Sequence, residues 1–192
     1  MLKKQGFTQT YLVDFFRKFL YNIITITGIR TMQISIKGGS KTQKKYAKDI
    51  IRFCGAKLMS KRLAKSLNIK VHFVKGLLDK YNQAGNCMWE DDSYRPKEFL
   101  LEIDADLKLR RVLQSVCHEM VHVKQFAKGE MRDLAGAERV SYNGKRYELD
   151  KDDYFERPWE IEAHGRELGL FVRWAEANQL GHLKWTQENE RG

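Results

Sequence analysis

Apolar residues in this chain recur with two different periods. Alternation by two, with β-branched residues prominent, marks residues 69–74 as a strand, and residues 33–36, 86–89 and 99–103 form shorter runs of strand character. The turn-rich Asp91-Asp92-Ser93 joins the last two of these. The set is expected to make a short, mostly antiparallel sheet. Behind a Gly38-Gly39-Ser40 turn, Tyr46, Ile50, Ile51, Phe53, Cys54 and Leu58 fall at helical spacing within a Lys-rich segment, which predicts an amphipathic helix with a basic face.

A longer helix is predicted over 107–128, with Asp104 and Asp106 offering N-cap oxygens and Gly129 ending it. Residues 140–142 and 145–149 then flank Asn143-Gly144, the signature of a hairpin closed by a type I′ turn. Pro158 can open a further helix running to about residue 178, since its missing N–H would be unsatisfied at that position in any case. No repeat, low-complexity tract or Pro-rich linker divides the chain. One α+β domain is therefore expected over residues 32–192, preceded by a basic amphipathic extension over 1–31.

Helical-wheel positions sort the residues of the two long helices. In the first, Leu109, Val112, Leu113, Val116, Met120 and Val123 form a stripe expected to face the core, while His118 and His122 share a polar sector with Arg111 and Ser115. In the second, Trp159, Ala163, Leu168, Leu170, Phe171, Trp174 and Ala175 define a broad inward arc that also contains Glu160, His164 and Glu167. Glu162 falls opposite, beside Arg166 and Arg173, as on a solvated, salt-paired face.

Charge is distributed unevenly. Residues 1–80 carry 18 Lys/Arg against 3 Asp/Glu, and the remainder carry 17 against 22, within a formal net charge of +10. An anionic partner for the first half, nucleic acid among them, would suit this asymmetry, and so would lysines that merely solvate helices. The apolar run over 11–29 is broken by Asp14, Arg17 and Lys18 and precedes no small-residue cleavage site, so neither a signal peptide nor a transmembrane helix is expected. An interfacial or targeting helix fits its basic, amphipathic character. Cys54, Cys87 and Cys117 are widely spaced and odd in number, which points to a reducing cytoplasm and away from a disulfide framework or thiolate metal site.

The candidate chemistry lies in His118-Glu119-Met120-Val121-His122. Two imidazoles at i and i+4 on one helical face can share a zinc ion, with the intervening Glu119 beside the water the metal activates. A catalytic zinc needs a third protein ligand, and Glu160, Glu162 and His164 are the candidates in the segment that follows Pro158. Glu160 ranks first because an ionisable group in an apolar arc must be paired or metal-bound and a carboxylate is favoured at a helix N-terminus. His164, one turn later, ranks second; it could also orient the site or donate a hydrogen bond to an oxyanion.

An H-E-x-x-H motif followed some 40 residues later by Glu160-Ile161-Glu162-Ala163 resembles the Glu-ligated zincin metallopeptidases, the gluzincins. The stretch around Cys87-Met88-Trp89, the hairpin and the run from Pro158 to Ala163 are further similar to small SprT-like or phage-encoded metallopeptidases. The resemblance covers about residues 86–169. It implies a small zincin-like domain, His118, His122 and Glu160 as zinc ligands, Glu119 as general base, and a protein or peptide substrate. Two departures stand out: better-known SprT-like members use a third His as ligand, and the gluzincin helix often carries an acidic residue where this chain has His164. The expected mechanism is peptide hydrolysis, with a substrate strand along residues 99–103 and Tyr142, Tyr147, Tyr154 or Arg157 near the oxyanion. A nucleic-acid-associated protein and a module with purely structural, four-ligand zinc are the rival readings.

Overall fold

The computed structural model describes residues 31–134, 138–151 and 153–187. Residues 1–30, and with them the interfacial-helix reading of 11–29, lie outside the described part. Seven strands lie within it. β1 (Gln33–Lys37), β2 (Asn68–Val74), β3 (Gly85–Trp89) and β4 (Glu98–Asp104) form one sheet in the order β1-β2-β4-β3; β5 (Met131–Asp133), β6 (Arg139–Tyr142) and β7 (Lys145–Glu148) form a second. The helices are α1 (Lys41–Leu58), α2 (Lys61–Ser66), α3 (Leu77–Tyr81), α4 (Leu109–Lys128), α5 (Pro158–Ala177) and α6 (Lys184–Gln187). The architecture is mixed α and β, as expected.

The larger sheet departs from the antiparallel expectation. β1 pairs parallel with β2, β2 parallel with β4, and only β3 runs antiparallel to β4. The reason lies in the connections: α1 and α2 separate β1 from β2, and parallel neighbours require such a crossover. The small second sheet is wholly antiparallel. Its Asn143-Gly144 turn has both residues at positive φ, 49° and 82°, between the paired Tyr142 and Lys145, the two-residue loop expected of this dipeptide.

Helices cover one face of the larger sheet. Ile69, Val71 and Phe73 of β2 and Phe99, Leu101 and Ile103 of β4 alternate into the core, where they meet Ile50, Ile51 and Cys54 of α1 and Val112, Val116 and Met120 of α4. α4 packs between α1 and α5, and Trp174 of α5 ties the third helix in by donating its indole N–H to Asp49 of α1 at 2.9 Å.

Local sequence explains most helix ends. Ser40 and Gln43 form a reciprocal capping box at the start of α1, each side chain bonded to the other's backbone N–H. Gly129 ends α4 in the left-handed region at φ 74°, where its N–H reaches back to Phe126. The start of α4 differs from expectation. Its N-cap is Lys108, without a side-chain cap, because the two aspartates are engaged elsewhere: Asp104 accepts from the backbone of Leu78 and Asp106, and Asp106 accepts from Gly76. Both carboxylates therefore hold the β2–α3 turn.

Candidate metal centre

His118 and His122 stand one turn apart on α4, and Pro158 starts α5 so that Glu160 in its first turn faces them. The His118 and His122 Nε2 atoms are 3.1 Å apart, and Glu160 Oε2 lies 3.4 Å from the first and 3.5 Å from the second. A tetrahedral zinc with ligands at about 2.0–2.1 Å has ligand–ligand edges of about 3.3 Å. The three observed edges fit that figure, so the donor set is spaced for a zinc ion with a fourth direction left open. His164 lies outside this triangle.

The second nitrogen of each imidazole fixes its tautomer. His118 Nδ1 is 2.8 Å from Glu167 Oε2, and a carboxylate only accepts. His122 Nδ1 is 2.8 Å from Gln125 Oε1, whose amide is oriented because its Nε2 donates to Trp159 O and Glu162. Both Nδ1 atoms are donors, and both Nε2 lone pairs converge with Glu160 Oε2. With both imidazoles neutral, three acceptors meet at one point, which a proton or a metal cation can satisfy. Protonation shows the same demand: burial works against charge on His118, yet hydrogen bonds to Glu160 and Glu167 raise its pKa to about 10. Glu160 moves the other way; its burial is outweighed by the two imidazoles, which hold it well below the ordinary carboxylate range.

Glu119 is 5% exposed and faces strand β3. A Cβ on Gly85 would lie 2.7 Å from Glu119 Oε1, so only glycine leaves room for the carboxylate. Among the described residues no hydrogen bond or ion pair holds its side chain. Burial raises its pKa, the two imidazoles pull it down, and Glu160 and Glu167 add to the rise. These groups line a cavity of about 770 Å³ between β3, α4 and α5, with Tyr154 and His164 at its side. The Tyr154 hydroxyl donates to Glu160 Oε2 at 2.7 Å.

No family model, curated protein or solved structure matches this chain.

Several expectations are corrected by the site's geometry. The polar sector of α4 lines the cavity as its histidines suggest, with Arg111, Ser115, His118 and His122 all on its wall, yet every residue from Val112 to Ala127 is enclosed because α5 and β3 cover the helix. His164 is exposed at the cavity edge, its ring 4.5 Å from that of His118, since the broad arc on α5 spans both core and cavity. Glu162 is no solvated surface group. It accepts from Lys124, Gln125, Tyr142 and Arg166, and these outweigh its burial to hold its pKa at about 2.

Of the four suggested oxyanion donors, only Tyr154 lines the cavity. Tyr142 bonds to Glu162, Tyr147 packs on Trp159, and Arg157 donates to Leu149 O. Residues 99–103 cannot receive a substrate strand either, because β4 is paired on both sides. The edge on the cavity is β3. Asp104 N donates to Ala84 O and Glu90 N to Glu98 O, so even-numbered residues of β3 bond inward and the main-chain groups of Gly85, Cys87 and Trp89 point outward.

Glu167 and Gln125 were given no role in the sequence. A signal exists for each: Glu167 lies seven residues, two turns, after Glu160, and Gln125 lies three after His122, so both share a helix face with a ligand.

Proposed function

We propose that this chain is a zinc-dependent metallopeptidase. The observation that carries the reading is the donor triangle of His118, His122 and Glu160, spaced for a tetrahedral ion. A zinc ion held there would polarise a scissile carbonyl and make water acidic enough to supply a nucleophile near neutral pH.

The chain's own residues supply the remaining steps. Glu119, next to the ligands and without another partner, takes up the water proton on its carboxylate and later delivers it to the leaving amine. Burial raises its pKa above the ordinary carboxylate value, which makes it a stronger base. The His164 ring, at the cavity side, can donate to oxygen charge that develops on the carbonyl, and Tyr154 can do so by turning its O–H away from Glu160 Oε2. An extended peptide can add to β3 through the outward main-chain groups of Gly85, Cys87 and Trp89, which sets its carbonyls beside Glu119.

Elemental analysis of full-length protein expressed with ample zinc should give one zinc per chain. It should be retained in Glu119→Gln, which cleaves no peptide, and lost in His122→Ala. A wild-type protein without zinc would overturn the assignment.

A second reading follows from the exposed Lys41, Lys44, Lys45, Lys48, Arg52 and Lys57 on α1. All but Lys57, which lies over Phe53 on the other flank, form a basic face that suits phosphate contacts, through which the same domain would be held near nucleic acid. Binding to double-stranded DNA should then weaken steeply between 50 and 200 mM salt, by roughly a hundredfold or more for several phosphate contacts. Absent or salt-insensitive binding removes this reading.

A further inference from the structure

One end of the cavity is built unlike the rest. Phe126 lies one helical turn beyond His122 on α4, about 6 Å along the axis, and its ring meets Trp89 of β3 with centroids 4.5 Å apart. Met131 and Asp133 alternate on β5 just after the helix, and both line the same cavity. Aromatic and thioether walls thus stand beside a carboxylate.

That carboxylate has no partner among the described residues. Glu160 belongs to the donor triangle, Glu167 is bonded to His118 and Arg111, and Glu119 faces Gly85. Asp133, exposed at the cavity margin, carries no side-chain hydrogen bond or ion pair among the described residues, and desolvation raises its pKa. The balance of the cavity points the same way. Among the described residues four carboxylates line it against one guanidinium, that of Arg111, so even a divalent ion leaves one negative charge over. Stem-packing aromatic rings next to an unpaired carboxylate match a long aliphatic chain that ends in a cation.

We infer that Trp89, Phe126, Met131 and Asp133 form a subsite for a lysine or arginine side chain of the substrate. The subsite lies one turn from the ligand His122, so the basic residue stands within a residue or two of the scissile bond, its stem on Trp89 and Phe126 and its charge at Asp133. The identity of the occupant as part of a peptide substrate rests on the metallopeptidase reading; the affinity for a basic side chain does not.

The test uses full-length, metal-free protein and needs no catalysis. Nα-acetyl-lysine methylamide, titrated while the Trp89 indole N–H is followed by NMR (assigned with Trp89→Phe), should shift that signal saturably. The norleucine counterpart should bind at least fivefold more weakly, and Asp133→Asn should bring the lysine compound down to the norleucine level. Asp133→Lys should abolish lysine binding and admit the glutamate compound. Equal binding of lysine and norleucine compounds, no binding of either, or an unchanged preference in both variants would overturn the inference. Cleavage-site mapping of a peptide library gives an independent check. Lys or Arg should be enriched at one fixed position in the wild type and lose that enrichment about tenfold in Asp133→Asn. A subsite that binds in a protein without zinc or cleavage would sink the peptidase reading and leave the subsite standing; zinc-dependent cleavage indifferent to Asp133 would do the reverse.

Discussion

Gly85 is the residue on which the placing of Glu119 depends most directly. A methyl group there would meet the carboxylate at 2.7 Å, so Gly85→Ala should push Glu119 out of position while the ligands stay in place. The expected outcome is at least a hundredfold lower kcat with unchanged zinc content, checked by activity and elemental analysis on the same preparation. Glu167 and Gln125 act through the imidazoles, and their loss reads differently. Glu167→Ala or Gln125→Ala should weaken zinc binding by about 10–100-fold in a competition titration against a chelator, because each fixes a ring's tautomer and angle. Unchanged affinity in both would show that the rings are held by packing alone. The triangle itself was legible in the sequence, since i, i+4 spacing and a first-turn carboxylate are local facts. Glu162 was misplaced because a helical wheel shows a direction and not what occupies it: Lys124 and Tyr142 come from elsewhere in the chain.

At the level of elements, the strand edge offers a sharp contrast. Cys87 points its N–H outward and Asn86 points its N–H toward β4. Cys87→Pro should thus keep the fold, since proline is tolerated at an outward edge position, and raise KM for peptides. Asn86→Pro should break a ladder bond and lower thermal stability; if the two variants behaved alike, substrate addition at β3 would be refuted. Ser40→Ala should cost about 1 kcal/mol through loss of the capping box, read from denaturant unfolding. Strand and helix positions were largely readable because their periodicity is local. Pairing was not. Whether β1 meets β2 in parallel depends on where α1 lays the chain down, and no pattern within either strand carries that information.

At the scale of the whole molecule, stability should be coupled to a cation bound at the triangle. Without metal, the raised pKa of His118 contributes stability that is fully present below the unfolded value of 6.5 and is lost as pH rises toward about 10. Glu160, depressed from 4.5, contributes stability that is present above 4.5 and lost as pH falls. Chelator-treated protein should therefore be most stable near pH 5–6. Zinc competes with the protons for the same nitrogens, so the zinc-bound protein should be most stable at higher pH. At a hundredfold excess over Kd, zinc adds about 2.7 kcal/mol, or roughly 5–10 °C in Tm for a domain of this size. Identical pH profiles with and without zinc would remove the coupling.

Two imidazole nitrogens and one carboxylate oxygen, with no thiolate among them, form a donor set that first-row divalent metals share. Affinity at such a site rises from manganese through cobalt and nickel to copper, which outbinds zinc. Protein eluted from an immobilised-nickel column is then liable to carry nickel at this site, and a failure to take up zinc or to cleave peptides would then report the purification history. Cobalt(II) turns the same openness to use: a tetrahedral N₂O site with one position free should give visible absorption bands that shift whenever a ligand enters the fourth position.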